Sequence, residues 1–172
     1  MKRLLLLLLT LTGCASPGPE IYRSEKPVLD LRSYFTGTLD AWGFFQDRSG
    51  KVVKRFAVEI VCSWNGDIGT LDERFTYSDG TTDRRVWTIT RVNEHTYTGT
   101  AADVVGQAAG EADGNALRWR YVLKLPVGDK TYDVNFDDWM YLMDEQVMLN
   151  RSVMSKFGVR LGEVVLSFRR RG

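Results

Sequence analysis

Apolar side chains recur at every second position along most of the chain, which is the period of a half-buried β-strand. The clearest run places Leu117, Trp119, Tyr121, Leu123 and Leu125 on one face of a strand, with mostly charged residues between them. The same spacing predicts further strands over 52–62, 70–77, 84–89, 97–105, 106–112, 132–143, 145–151 and 161–169. Short helical turns are predicted over 29–35 and 152–158.

Nine or ten short strands of even spacing, joined by tight turns such as Asp79-Gly80, predict an all-β domain. An antiparallel up-and-down β-barrel is favoured over a β-sandwich, because a barrel leaves no exposed sheet edge. No predicted helix is long enough to cover a sheet, which argues against an α/β fold. We therefore expect a single barrel domain over residues 29–172.

The first residues have a different pattern, that of a targeting sequence. Lys2 and Arg3 precede a run of six leucines, Leu4–Leu9, which is far shorter than the ~20 residues of a membrane-spanning helix. A cationic start, a short apolar run and small residues are typical of a signal peptide, which we predict over residues 1–13. Prolines and charges in residues 14–28 predict a tether before the barrel.

The segment Leu11-Thr12-Gly13-Cys14 resembles the bacterial lipobox. The resemblance implies that Cys14 carries a diacylglyceryl group and, on its new amine, an acyl chain such as palmitate. Ala15 and Ser16 follow it, and no Asp does, which implies the outer membrane and a periplasm-facing domain. Two or three acyl chains anchor stably, because each buried CH₂ contributes ~0.8 kcal/mol. The alternative is a secreted protein in which Cys14 has no role.

Composition and charge exclude several classes of protein. The formal net charge of +1 becomes −1 without Lys2 and Arg3, so the mature chain lacks the basic excess of a nucleic-acid-binding protein. The aromatic content of 12% is too high for a disordered chain. His95 is the single histidine, and no phosphate loop or Ser-His-Asp arrangement is present, so no metal or other cofactor is expected. Cys62 is in phase with apolar neighbours and is predicted to be a small buried residue.

Three charged residues, Glu73, Arg85 and Asp138, interrupt otherwise apolar strand faces. Glu73 and Arg85 belong to the two strands of one predicted hairpin and are expected to be cross-strand or diagonal neighbours. An unpaired charge inside a barrel costs several kcal/mol, so pairing is expected. Together with Trp87 and Trp119 these three are the candidate ligand-binding residues. The alternative is a closed Glu73–Arg85 salt bridge that fixes the strand register.

The five tryptophans are spread over five strands or strand ends; they are Trp42, Trp64, Trp87, Trp119 and Trp139. Core packing is expected for each of them. In a barrel too wide to be filled by side chains, they would line its cavity instead.

Segments along nearly all of the mature chain resemble the DUF3833 family. They cover residues 46–50, 71–75, 77–80, 85–87, 97–101, 114–117, 137–141, 150–151 and 156–158. The resemblance extends over about residues 29–168. It implies a proteobacterial lipoprotein that faces the periplasm and has no assigned activity.

A wider similarity is to the lipocalin and calycin barrels. Residues 31–35, followed by Gly37 and Trp42, resemble the turn, glycine and tryptophan that open a lipocalin. The pattern departs from the family, because Gly37 and Trp42 are five positions apart rather than two. Arg169 would be the arginine that packs on this tryptophan.

Three hypotheses for the function remain. A binding module would hold or carry a lipid-like hydrophobic ligand inside the barrel. A calycin-type isomerase, hydratase or cyclase would act on a fatty-acid-like substrate with Glu73 or Asp138 as acid or base, although no catalytic spacing supports it. A structural or assembly lipoprotein would have a filled barrel and bind a partner on its outer face. A cavity larger than ~300 Å³ would favour the first two.

Overall fold

The computed structural model describes residues 16–172, so the predicted signal peptide and Cys14 lie outside the described residues. Within this range the chain forms a 3₁₀ helix (Pro19–Tyr22), α1 (Leu31–Tyr34), β1 (Gly37–Asp47), β2 (Val52–Asn65), β3 (Ile68–Tyr77), β4 (Thr82–Arg91), β5 (Thr96–Thr100), β6 (Ala108–Asp113), β7 (Ala116–Val127), β8 (Lys130–Leu142), β9 (Val147–Lys156) and β10 (Val159–Arg170). The all-β prediction is confirmed. Neither of these helices is long and apolar enough to cross a membrane.

The ten strands form one sheet that closes on itself. Each strand pairs antiparallel with the next strand in the sequence, and β10 returns to pair with β1, from Leu39 opposite Arg170 to Asp47 opposite Gly162. All ten described strands therefore have a partner on both sides, and no strand edge is exposed. The fold is the predicted up-and-down barrel, not a sandwich.

The lower end of the barrel, where β1 begins and β10 ends, is closed by α1. Asp30 caps this helix, because its carboxylate accepts a hydrogen bond from the Ser33 backbone N–H at 2.8 Å. Leu31 and Phe35 are buried in the core. Nε1 of Trp64 donates to the carbonyl oxygen of Phe35 at 2.7 Å, which fixes the closing segment to the barrel wall. The upper end carries the β1–β2, β3–β4, β7–β8 and β9–β10 turns.

Residues 19–23 lie on the outside of the barrel, beside its lower end. The ring of Tyr22 contacts Trp139 and Tyr141 edge-on, with centroid distances of 6.1 and 5.4 Å. The Arg23 guanidinium pairs with the Asp113 carboxylate at 2.9 Å. These contacts hold the N-terminal segment against β6 and β8.

Two local predictions are wrong. Residues 152–156 continue β9 as a strand, and the chain reverses in a tight turn where Phe157 and Gly158 have φ angles of 51° and 76°. Two consecutive positive φ angles suit a two-residue hairpin, so no helical turn is needed. Residues 101–107 form a loop, which shortens the two strands predicted over 97–112. The alanines and glycines of this segment bury little surface, so their alternation does not show where a strand ends.

Trp42 does not pack in the core as expected. Leu39 and Ala41 are fully buried, and the alternation of a strand therefore turns Trp42 to the outer face, where it is 51% exposed. Arg169 is also exposed. The lipocalin-like roles suggested for Trp42 and Arg169 are thus not supported, although the barrel architecture itself is present.

Trp119 fits into a space left by two glycines. A Cβ atom at Gly110 would lie 2.3 Å from Cε3 of Trp119, and a Cβ at Gly99 would lie 2.6 Å from its Cζ2. Both distances are far below van der Waals contact. The glycines of β5 and β6 therefore allow the large indole of β7 to approach their backbone.

Gly110→Ala is expected to lower the free energy of unfolding by about 1–3 kcal/mol, because the added methyl group overpacks the site of the buried indole. Urea unfolding monitored by circular dichroism measures this change. In a Trp119→Leu background the same substitution should cost less than about half as much, since the ring is absent. An equal cost in both backgrounds would contradict the contact.

Candidate ligand-binding site

The barrel encloses a cavity of about 580 Å³. Its wall is mainly apolar and includes Val58, Ile60, Leu71, Met154, Val164 and Leu166. Leu31 and Phe35 form its floor at the closed lower end. At the upper end the lining includes the exposed residues Asp83, Lys124 and Pro126, so the cavity opens to solvent there. The barrel is thus a cup with an apolar interior and one mouth.

All five residues predicted to bind a ligand line this cavity: Glu73, Arg85, Trp87, Trp119 and Asp138. Glu73 and Arg85 are directly opposite each other on β3 and β4, and Trp119 is opposite Asp138 on β7 and β8. The rings of Trp87 and Trp119 meet edge-on, with centroids 5.7 Å apart. The structure therefore places the five side chains around one space.

Arg85 makes its strongest contact with a residue that the strand pattern did not indicate, Asp103. The guanidinium binds the Asp103 carboxylate in a bidentate manner, with Nε and Nη2 donating to Oδ2 at 2.9 and 2.7 Å. Glu73 is farther away, with its Oε2 atom 3.9 Å from Nη1 of Arg85. Arg85 is thus largely satisfied by Asp103 and only partly neutralises Glu73.

A second polar group lies on β8 and β9. The Ser152 hydroxyl donates a hydrogen bond to the Asp138 carboxylate. The hydroxyl of Tyr121 approaches the same carboxylate and, like Ser152, stabilises its charged form. Asn150 lies two positions from Ser152 on the same inward face of β9 and is also buried. This group and the Arg85 group share one cavity.

Two carboxyl groups of the cavity wall, those of Glu73 and Asp138, have pKa values well above the ordinary range. Burial raises the pKa of Glu73 to about 7, against the opposing effect of Arg85. Burial also raises the pKa of Asp138 to about 7, although the hydrogen bonds from Ser152 and Tyr121 oppose it. Each group is therefore a carboxylic acid and a carboxylate in similar amounts near neutral pH.

Cys62 is buried, as predicted. Burial and, second, the charge of Glu73 raise the pKa of its thiol to about 12. The thiol is therefore protonated at neutral pH and is not an activated nucleophile. In residues 16–172, no group of three or more His, Cys, Asp and Glu side chains is arranged to hold a metal ion.

The sequence-based search missed Asp103, Asn150 and Ser152. Asn150 and Ser152 alternate with Met148 and Met154, which is the signal that identified Glu73, but the helical turn assigned to residues 152–158 interrupted the phase. Asp103 lies in the loop between β5 and β6, past the last paired residue of β5, although it is in phase with the buried Tyr97 and Gly99. The β4–β5 register, which sets Thr88 opposite Thr100, continues past the end of β5 and brings Asp103 beside Arg85.

Stability is expected to fall as pH rises from about 5 to 8. In the folded protein Glu73 and Asp138 have a raised pKa, so between about pH 4 and 7 they hold protons that the unfolded chain has lost. The stability that depends on these protons is lost as pH rises through about 7. Asp138→Asn should flatten this dependence by roughly 1–3 kcal/mol.

Urea unfolding of wild type and Asp138→Asn near pH 5 and pH 8 measures the difference. The charged and titratable groups around Asp138 are Asp137 beside it, Glu73 and Arg85 across the cavity and Tyr121 on β7. Asp137→Asn is the matched control, because its carboxylate lies on the outer face, pairs with Arg118 at 2.7 Å and raises the pKa of Asp138 less than burial does. If Asp137→Asn and Asp138→Asn change the pH dependence equally, burial of Asp138 is not its cause.

Comparison with known proteins identifies a family and a fold. A family model described as "Protein of unknown function (DUF3833)" matches residues 8–170. The S-type phycobiliprotein lyase CPES from Guillardia theta has a similar structure, with a TM-score of 0.61 and 6% identity; the match covers 91% of this chain and 99% of the lyase. A de novo designed fluorescence-activating β-barrel matches with a TM-score of 0.46 and 14% identity, covering 83% of this chain and 99% of the design. No curated protein matches the sequence. At 6% identity, the likeness to the lyase concerns the barrel fold alone.

Proposed function

Since the chain belongs to the DUF3833 family, whose description assigns no activity, we propose a function from the cavity itself: the barrel binds a lipid-like hydrophobic small molecule. The observation that carries this proposal is a cavity of about 580 Å³ with apolar walls, one mouth and a few convergent polar groups. Binding sites for small molecules have this construction and typically measure ~300–1,000 Å³.

The size of the cavity separates the three hypotheses. It exceeds the ~300 Å³ below which a lipid would not fit, and the barrel is therefore not packed solid in the way that the structural hypothesis requires. The enzyme hypothesis stays a prediction. Glu73 and Asp138 have the raised pKa that an acid–base pair would need, but this raised pKa also follows from burial in a binding cavity.

Cavity-filling variants test the binding proposal. Residues 16–172 contain all ten paired strands and the core, so this chain is suitable for solution experiments. The neutral fluorescent probe N-phenyl-1-naphthylamine is expected to bind the wild type with enhanced emission. Val164→Trp, which points a large ring into the cavity, should weaken probe binding at least about tenfold, because it removes ligand volume.

Val165→Trp is the matched control. Val165 is the next residue of β10 and is absent from the cavity lining. The Val165→Trp variant should therefore bind the probe as tightly as the wild type does. No enhanced emission with the wild type, or equal binding by both variants, would refute ligand binding in the barrel.

We also propose that Cys14 carries a lipid anchor and holds the barrel at the outer membrane, facing the periplasm. The support for this proposal is the lipobox-like sequence. Cys14→Ser should release the protein from membranes or leave the signal peptide uncleaved. Fractionation after a high-salt wash measures the release. A Cys14→Ser protein that still fractionates with the outer membrane would contradict the anchor.

A further inference from the structure

The polar groups of the cavity are unbalanced in charge. Around Arg85 the wall carries three carboxyl groups, Glu73, Asp103 and Asp138. The guanidinium is already held by Asp103 in a bidentate contact at 2.7–2.9 Å. Glu73, 3.9 Å from Arg85, is too far away for a hydrogen bond to it. An entering group that donates a hydrogen bond therefore finds free acceptors here. A negatively charged group that reaches this part of the cavity finds no free cation, because the two lysines of the lining, Lys54 and Lys124, lie at the mouth.

Asn150 gives an independent indication. Its side chain lines the cavity, is 5% exposed, and its Nδ2 atom has no hydrogen-bond partner in the described residues. A buried donor without a partner is costly, and native structures contain few of them. Nδ2 itself is closed off from solvent, whereas the Asn150 side chain lines the cavity. A turn of the amide would bring this donor to a ligand atom that accepts a hydrogen bond.

The two indications concern neighbouring places on the wall. Asp138 is opposite Ser152 in the β8–β9 register, and Asn150 is opposite Met140. Asn150 is thus a diagonal neighbour of Asp138 on the same face, at the usual distance of roughly 7–8 Å. One small polar group, or two adjacent ones, can lie between these side chains.

We propose that the polar end of the bound ligand is a hydroxyl group, as in a long-chain alcohol or a monoacylglycerol. This inference rests on the proposed function. A hydroxyl donates to the carboxyl group of Asp138 or Glu73 and accepts from Nδ2 of Asn150. A carboxylate cannot donate, and it would add a negative charge to the part of the wall that already has the carboxyl groups of Glu73, Asp103 and Asp138. An ammonium cannot accept, and it would leave Asn150 without a partner.

Three amphiphiles with the same tail test the inference: dodecan-1-ol, dodecanoate and dodecylamine. Each competes with N-phenyl-1-naphthylamine for the 16–172 chain at about pH 8, where the acid is negatively charged and the amine positively charged. Dodecan-1-ol is expected to displace the probe at a concentration at least about tenfold below that of either charged amphiphile. The Trp87 and Trp119 emission gives a second measure of occupancy.

Asn150→Leu supplies the residue-level test. It should weaken dodecan-1-ol about tenfold relative to wild type and change dodecylamine less than about twofold, because only the alcohol uses the Asn150 donor. Asn135→Leu is the matched control, since Asn135 is exposed and donates to the Ser155 carbonyl outside the barrel. The Asn135→Leu variant should prefer dodecan-1-ol over dodecylamine to the same extent as the wild type. A merely structural role of Asn150 would weaken both amphiphiles alike.

The outcomes separate this inference from the proposed function. If the probe binds but dodecanoate or dodecylamine binds as tightly as dodecan-1-ol or more tightly, the hydroxyl assignment is overturned. The cavity then remains a ligand site. Probe binding without displacement by dodecan-1-ol, or unchanged alcohol binding by Asn150→Leu, overturns it as well. Absence of probe binding refutes the proposed function itself, and the inference with it.

Discussion

Trp119→Ala is expected to lower the free energy of unfolding by about 3–5 kcal/mol. Trp119 is 5% exposed, and it packs against the backbone at Gly99 and Gly110 and against the edge of Trp87. Glycines cannot fill the space that the indole leaves. The substitution therefore enlarges the cavity and exposes strand backbone. The expected loss is large beside the ~5–15 kcal/mol free energy of unfolding of a typical domain.

Urea unfolding at a pH where wild type and variant are both folded measures this loss. Trp42→Ala is the control, because Trp42 is 51% exposed on the outer face, and its removal should cost less than about 1 kcal/mol. A cost below about 1 kcal/mol for Trp119→Ala would mean that the indole does not support the barrel wall.

Arg85→Leu is expected to cost about 2–4 kcal/mol near pH 8. Removing one partner of a buried ion pair leaves uncompensated charge, which typically costs ~3–5 kcal/mol. The expected value is lower because the Asp103 side chain is 36% exposed. The cost should shrink near pH 5, since Glu73, whose pKa burial raises to about 7, is then protonated and needs no cation.

Two companion variants test the origin of this cost. In Glu73→Gln the carboxylate is absent, so adding Arg85→Leu to it should cost less than Arg85→Leu alone. Arg84→Leu removes the neighbouring guanidinium, which pairs with Asp72 on the outer face and is 64% exposed, and should cost ~0–1 kcal/mol. A pH-independent cost of Arg85→Leu would contradict the role of the buried carboxyl groups.

Nine of the ten described strands and the Glu73–Arg85 pair were predictable, because they depend on alternation and on one hairpin. The sequence analysis did not predict β1 (Gly37–Asp47). The two-residue period placed Glu73 and Arg85 on inward faces, and the Asp79-Gly80 turn placed them near each other. Both are short-range properties of the chain. The barrel followed from the number of strands and from the need to pair their edges.

Other features depend on how the strands pair. Asp103 lies in the loop after β5, and it meets Arg85 because the β4–β5 register, which sets Thr88 opposite Thr100, continues past the last paired residue. The outward direction of Trp42 depends on the register of β1 against both β2 and β10. The cavity volume depends on the inner side chains of all ten strands together, so the pattern of one strand does not predict it.

The contact of Tyr22 with Trp139 and Tyr141 determines how close the barrel can stay to an anchor. From Pro19 onward the chain lies against the barrel, beside its lower end. Under the proposed lipidation of Cys14, the five residue steps to Pro19 span at most about 18 Å when fully extended. The barrel would then stand with its base on the bilayer and its mouth turned away from it. Ligand exchange would take place with the periplasm or a protein within it, not directly with the membrane that holds the chain.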